Sequence, residues 1–493
     1  MLKQIASNTI SQLISKFFTA LISVFLIKTL TNYLSIDEYG LYNKIYNFLG
    51  IFAFLADLGL YTITIREISS GKEDSSKIVG NVMTLRLLLG ILIMFLSLII
   101  AYFLPGYNTN VALVAIFITS IFTLFGLMNS SVMALMQANM KIEFSLVAQI
   151  LGKILNFGLI LLGAFVLFPE VHSNFMLSFN FIMFAGLAGV ALSAFLNYEY
   201  AKKLADISFR FDLDYIKYIF KISLPYGFAL FLSVIYFKID IVLLSIIEPA
   251  NISDKSIALY SVPMRIVEVL MVLSGFFLNS VLPMLSKSFA EKHIQNIGKI
   301  LGNSYKTLLA FGVSLLVIGS VFKNDIIRLV ASPDYIDHSK FTYTSSDVFT
   351  ITLFILLFYF ISQLFIYLLI AREHQRRLLY INAFIAIFNI IGNIIIIPHF
   401  SFIGSAYITV ASQILLLILL ILFSHDIFSF KIPLFYTLKV FLFGLFLYLF
   451  GSFLVSNFYL GTYLDLFVYG GFLGIIILGF FYIELRKILK QKN

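Results

Sequence analysis

From end to end the chain alternates between apolar segments of roughly twenty residues and short polar connections. Fourteen segments can be marked, near 9–31, 43–63, 82–104, 111–136, 144–168, 175–198, 218–247, 258–283, 304–323, 347–370, 378–397, 403–423, 434–456 and 463–484. Each is long enough to cross a hydrocarbon core about 30 Å thick, and no connection is long enough for a globular domain. Composition agrees, with 60% hydrophobic and 12% charged residues where soluble domains carry about 25% charge. The expected fold class is an all-α polytopic membrane protein with about 14 transmembrane helices.

Lys and Arg orient it. With a cytoplasmic N-terminus, the inside connections and tails hold 22 of them and the outside loops four, namely Lys255, Lys323, Arg328 and Lys340. Both termini are therefore expected inside a cell (inner or plasma) membrane. The net charge of +9 reflects these inside connections and not a nucleic-acid partner. The absence of cysteine removes disulfides, thiolate metal sites and cysteine nucleophiles.

The long charged connection at 199–217 reads as a joint. It divides an N-terminal six-helix lobe at 1–198 from a second at 218–423, with an added helix pair and basic tail at 424–493. A weak repeat supports duplication: a shift of 233 places Leu135, Ala138, Gln149 and Asn156 on Leu368, Ala371, Asn382 and Asn389. The two lobes are expected to enclose a central cavity.

Ionisable groups in hydrocarbon cost at least about 2.5–3.5 kcal/mol each, so each needs a reason. At about 100° per residue, polar residues form stripes. The first span carries Asn8, Ser11, Gln12, Ser15, Lys16, Thr19 and Ser23; the second carries Asn43, Asn47, Gly50, Asp57 and Tyr61. The fifth carries Ser145, Gln149, Lys153 and Asn156, and the eleventh Asn382, Asn389 and Asn393. On the eighth, Ser261, Arg265, Glu268, Gly275, Asn279 and Ser286 share one face, and Arg265 and Glu268 are close enough to pair. Single Ser or Asn residues commonly glue helices together; stripes containing charge point instead to a polar path. Lys238 and Asp240 point to different sides of the seventh span. Lys28 and Lys44, near the outer ends, fit snorkelling, and Arg86 fits snorkelling or a cavity equally well.

Enzyme signals are thin. The six His residues have no ligand spacing, and no nucleotide fingerprint occurs, so no cofactor and no metal is expected. Asp37 and Glu38 read as capping groups before the second span and not as glycosyltransferase metal ligands.

Several stretches carry a family resemblance. Leu34-Ser35-Ile36-Asp37-Glu38-Tyr39-Gly40-Leu41-Tyr42, Phe54-Leu55-Ala56-Asp57-Leu58-Gly59-Leu60 and Arg66-Glu67-Ile68 resemble the start of bacterial and archaeal polysaccharide flippases. Tyr236-Phe237-Lys238-Ile239-Asp240, Tyr260-Ser261-Val262-Pro263-Met264-Arg265 and Leu282-Pro283-Met284-Leu285-Ser286 are similar to their later spans. The resemblance implies the multidrug/oligosaccharidyl-lipid/polysaccharide exporter superfamily: two lobes, alternating access and a cation-lined cavity. It also implies the substrate, a polyprenyl-(pyro)phosphate-linked oligosaccharide moved to the outer leaflet. Lys16, Arg86, Lys153, Lys238 and Arg265 would hold the anionic head, with Gln149, Asn156, Asn279 and Asn389 on the hydroxyls.

Two other classes compete. A drug or organic-cation exporter of the same superfamily expects an acidic cavity, and a membrane polysaccharide polymerase or glycosyltransferase expects a large outer loop. The expected partners are the lipid-linked sugar, membrane lipids and polysaccharide-assembly proteins, around a monomer. Coupling to a proton or sodium gradient needs a carboxylate inside the membrane, which leaves Asp57 first, then Asp240 and Glu268. The orientation yields a direct expectation: reporters fused after Asn493 and within 199–217 are active only on the cytoplasmic side, and an outward C-terminal reporter overturns the even span count.

Overall fold

The computed structural model describes residues 2–372, 374–458 and 460–490. The described residues form fifteen α-helices joined by short turns. In chain order they are α1 (Leu2–Tyr33), α2 (Ile36–Asp57), α3 (Leu60–Ser70), α4 (Ser75–Phe103), α5 (Asn110–Ala138), α6 (Ile142–Leu162), α7 (Phe175–Ala201) and α8 (Leu213–Ile247). They continue as α9 (Ala250–Ala290), α10 (Ile294–Val321), α11 (Lys323–Val330), α12 (Ser345–Ala371), α13 (Gln375–Ser424), α14 (Leu434–Asn457) and α15 (Thr462–Lys490). In hydrocarbon only helices satisfy every backbone group within one segment, so the apolar composition dictates this outcome.

Among the described residues, twelve helical stretches are long and apolar enough to cross a membrane, and thirteen with α8, whose arms are bent by 53°. Ser401 interrupts α13 with non-helical backbone (φ 52, ψ −146). Its two arms coincide with the expected segments 378–397 and 403–423, and counting them separately brings the total to fourteen. The chain is a multi-span, all-α membrane protein.

Contacts divide it into two compact units, Met1–Ala258 and Leu259–Asn493. In the first, α5 and α6 pack on α7, α1 lies on α6, and α8 packs on α2, α3 and α4. In the second, α12 packs on α10 and α13, and α14 packs on α10.

The start of α2 is set by its cap. Ser35 accepts from the Glu38 N–H at 3.3 Å, and the Glu38 carboxylate accepts from the Ser35 N–H at 2.8 Å. The helix therefore begins at Ile36, seven residues before the apolar run, and the capping role expected around Asp37-Glu38 falls to Glu38. Its end is equally local: Leu58 (φ 43) and Gly59 (φ 72) are left-handed. Gly227 of α8 packs against that break so closely that a β-carbon there would stand 2.1 Å from the Leu58 carbonyl oxygen. Asp57 is thereby placed at an open helix end.

The 199–217 connection is tied to α4. The Asp212 N–H donates to Asn81 Oδ1 at 2.7 Å, and Lys77 lies 3.5 Å from the Asp212 carboxylate. Asp212 also caps α8 by accepting from the Tyr215 N–H, which with Lys77 holds its carboxyl below the usual range. The charged segment 323–346 uses its own charges locally. Lys340 pairs with Asp334, and Asp337 accepts from the Ser339 N–H and hydroxyl at 2.9 and 2.7 Å.

Pro263 lies inside α9. It has no N–H for the carbonyl of Leu259 one turn earlier. Buried Ser345 from α12 donates to that carbonyl at 2.8 Å and replaces the lost bond. Ser345→Ala is expected to lower stability by about 1–3 kcal/mol, read as detergent thermal unfolding of the purified protein. In a Pro263→Ala background, where residue 263 regains its N–H, the same change should cost markedly less; equal losses in both backgrounds refute the replacement.

Candidate functional site

The polar stripe on α2 is met by partners from three other helices of the first unit. Asn43 and Asn47 are buried, and each donates its amide to the carbonyl four residues earlier at 2.9 Å. Lys238 of α8 donates to Asn47 Oδ1 at 3.3 Å. Its aliphatic stem lies over Gly50, where a β-carbon would stand 3.6 Å from Lys238 Cδ. Lys238 stays half-buried while Asp240 is fully buried, in keeping with their opposed directions on the helix. Beside Gly50 a cavity of about 190 Å³ separates α2 from α5, with Tyr46, Thr119, Phe122 and Thr123 on its wall.

Lower on the same helix, Asp57 forms an ion pair with Arg86 of α4. The guanidinium is sealed, at 0% side-chain exposure, and also donates to Ser131 Oγ at 2.7 Å and to the Leu127 carbonyl at 3.4 Å on α5. The choice left open for Arg86 is decided here. Arg86 does not snorkel, because protein groups supply its partners. Asp57 is not a lone carboxylate, because α4 brings a cation to it that inspection of α2 by itself does not reveal. Tyr61, one turn further, donates to Gln137 of α5.

On α6, Lys153 is half-buried and donates to Ser23 Oγ at 2.6 Å and the Thr19 carbonyl at 3.2 Å, both on α1. Gln149 reaches Ser145 Oγ at 3.5 Å, and the Asn156 carboxamide oxygen is buried without a hydrogen-bond partner. Lys16 on α1 is exposed. Asn8, Ser11 and Gln12 belong to the same stripe, but their side chains lie outside the described residues.

In the second unit, Arg265 and Glu268 on α9 are 3.6 Å apart, with 37% and 35% side-chain exposure. Asn279 is exposed and accepts from the Tyr367 hydroxyl at 2.7 Å. Asn389 is different: it is buried in α13 and donates to Ser412 Oγ at 3.3 Å, linking the two arms of the kinked helix. Asn393 donates to its carbonyl at 2.9 Å, and Gln413 reaches Ser362 of α12 at 3.2 Å. This stripe joins helices in the manner usual for carboxamides in membranes.

Within each unit, then, some polar groups are consumed by packing and others stay reachable. Lys238 in one and Arg265 in the other are half-exposed cations on spanning helices, suited to an anionic head. Another feature escaped the sequence: Lys44 is 1% exposed and forms a 2.6 Å ion pair with Asp254, which overturns the snorkelling expectation. Opposite charges at the same end of two spans were its one available signal.

Comparison with known proteins follows the same lines. The sequence profile of the family described as "Polysaccharide biosynthesis protein" matches residues 5–289, more than half of the chain, and that described as "MatE" matches residues 225–395. No curated protein matches the sequence. Among solved structures, the lipid II flippase MurJ in an inward closed conformation is 18% identical, with a TM-score of 0.73 over 97% of this chain and 99% of that one. An inward-facing multidrug resistance MATE family transporter of the MOP superfamily is 13% identical, with a TM-score of 0.69 over 84% and 94%. A MOP superfamily transporter from Pyrococcus furiosus, described as having a binding pocket of reverse polarity, is 15% identical with a TM-score of 0.54 over 88% and 95%. These likenesses are in fold.

The Asp57–Arg86 geometry is asymmetric, since the cation is sealed and the carboxylate is 24% exposed. Asp57→Asn strands a buried guanidinium and is expected to cost about 3–5 kcal/mol. Arg86→Met leaves a carboxylate that water reaches, so it should cost less, and the double variant should recover part of the Asp57→Asn loss in a thermal-unfolding cycle. Additive losses refute the pairing.

Proposed function

We propose a function from one premise: the chain belongs to the polysaccharide biosynthesis protein family, and with it to the multidrug/oligosaccharidyl-lipid/polysaccharide exporter superfamily. The protein is a flippase that carries a polyprenyl-(pyro)phosphate-linked oligosaccharide, the repeat unit of an O-antigen, capsule or other surface polysaccharide, from the cytoplasmic to the outer leaflet. It does so by alternating access between two lobes.

The observation that carries this reading is the pair of half-exposed cations, Lys238 and Arg265, on membrane-spanning helices. A charge left reachable at that depth has a use, because sealing or removing it is less costly than keeping it. A sugar pyrophosphate supplies the complementary charge, and its prenyl tail needs no protein pocket because lipid accommodates it. Lys16, Gln149, Lys153, Asn156 and Asn279 offer further donors to the head, while Arg86 and Asn389 hold the helices that present them. Energy enters from a proton or sodium gradient through Asp57, Asp240 or Glu268. The MatE match over residues 225–395 favours a second reading, an organic-cation exporter.

Vesicles containing the purified protein and a fluorescent polyprenyl-pyrophosphate oligosaccharide test the choice. Arg265→Ala and Lys238→Ala are each expected to slow flipping by about tenfold, near 1.4 kcal/mol of lost interaction, with unchanged membrane abundance. Full flipping by both variants removes the cation assignment. Gradient-driven movement of an organic cation with no movement of the sugar lipid establishes the second reading instead.

A further inference from the structure

The same device occurs twice along α2, at Lys44 in its first half and at Asp57, its last residue. In each ion pair the cation is sealed and the carboxylate is about a quarter reachable: 2% for Lys44 against 23% for Asp254, and 0% for Arg86 against 24% for Asp57. Their mechanical positions differ. Asp57–Arg86 ties α2 to α4, which packs along it within the first unit. Lys44–Asp254, at 2.6 Å, ties α2 to the first turns of α9, four residues before that unit ends at Ala258.

The surroundings of Lys44 are built for a close fit. Its Nζ stands 5.3 Å from the centre of the Tyr107 ring, and the Tyr107 hydroxyl bonds Ser245, near the end of α8, at 2.8 Å. The backbones of α2 and α9 touch: a β-carbon at Gly40 would stand 1.8 Å from the Asp254 carbonyl oxygen. The other charged groups near the latch are Asp37, paired with Lys255 at 3.7 Å with both side chains well exposed, Glu38, whose carboxylate accepts from the Ser35 N–H at 2.8 Å, and Glu248, buried at the C-cap of α8.

We propose that Lys44 and Asp254 form a proton-operated latch fastening the α8–α9 turn to α2. A proton from the adjoining water adds to the Asp254 carboxylate and gives the neutral acid; no other bond forms or breaks. The sealed ammonium of Lys44 then lacks its counter-ion, a state relieved only when the turn moves off α2 and water reaches it. Deprotonation refastens the pair. Asp254 shares with Asp57 the property that its protonation strands a sealed cation; of the two, Asp254 is the one that holds the α8–α9 turn. Under the flippase reading, on which its use in transport rests, the latch adds to the carboxylates proposed above a further point at which a proton gradient acts, at the end expected to face outside.

The native sequence lacks cysteine, so Ser245→Cys introduces a single thiol beside the latch. Its labelling by a membrane-impermeant maleimide is measured in vesicles at pH 8 and pH 5, each rate normalised to free cysteine at that pH. The normalised rate should rise about tenfold on acidification, as a latch population shifts from closed to open. Adding Asp254→Asn should give the high rate at both pH values, and Asp254→Glu, which keeps the pair, should restore the response. A pH-independent rate in the Ser245→Cys protein, or a low rate with Asp254→Asn, overturns the proposal. If Asp254→Asn does not fold, the pH response of the Ser245→Cys protein decides alone. Labelling needs no substrate. A protein that shows the response but flips no sugar lipid refutes the flippase reading and leaves the latch standing.

Discussion

A charge placed inside a membrane protein must be paired, hydrogen-bonded or given water, and the first unit is organised around that requirement. Helix α2 is its axis. Lys44 finds Asp254, one turn on Asn47 receives Lys238, and at the C-terminal end Asp57 finds Arg86. Each partner comes from a different helix, so satisfying α2 positions α9, α8 and α4 together. Apolar packing around Ile45, Phe48, Tyr107 and Phe179 supplies the bulk of the core. It is non-directional, and the charge pairs supply register.

The polar groups divide by what they can still do. Arg86 and Asn389 are fully buried and bonded to neighbouring helices or helix arms, so their chemistry is spent on holding helices. Lys153 leans on α1 through Ser23 and Thr19, which fixes a helix whose apolar face otherwise packs mainly on α6. Lys238 and Arg265 keep part of their surface. That remaining accessibility separates them from groups spent on holding helices, and it cannot be read from residue type, because both classes contain Lys, Arg and Asn.

Breaks in the helices are compensated as carefully as the charges. The left-handed turn at Leu58-Gly59 meets Gly227, the carbonyl freed by Pro263 meets Ser345, and the kink at Ser401 is bridged by Asn389 and Ser412. An unpaired carbonyl in hydrocarbon is costly, so a transporter that needs bent helices must bring a donor to each bend. Ser345 looks unremarkable in sequence for this reason: its function exists only where another helix ends its own bonding.

The sequence by itself determined the class, the helical segments and the polar stripes. Those follow from bilayer thickness and a period of 3.6 residues, both of which are local. It also indicated the right type of role for Glu38, since a capping box spans four residues. It misjudged Lys44 and did not reveal the cation beside Asp57; the partners lie about 210 and 29 positions away. The stripe on α2 was legible, whereas the cation that answers Asp57 was not. Only tertiary structure decides which charges are neutralised, because ion pairing falls off within a few ångströms and chain separation says nothing about that distance.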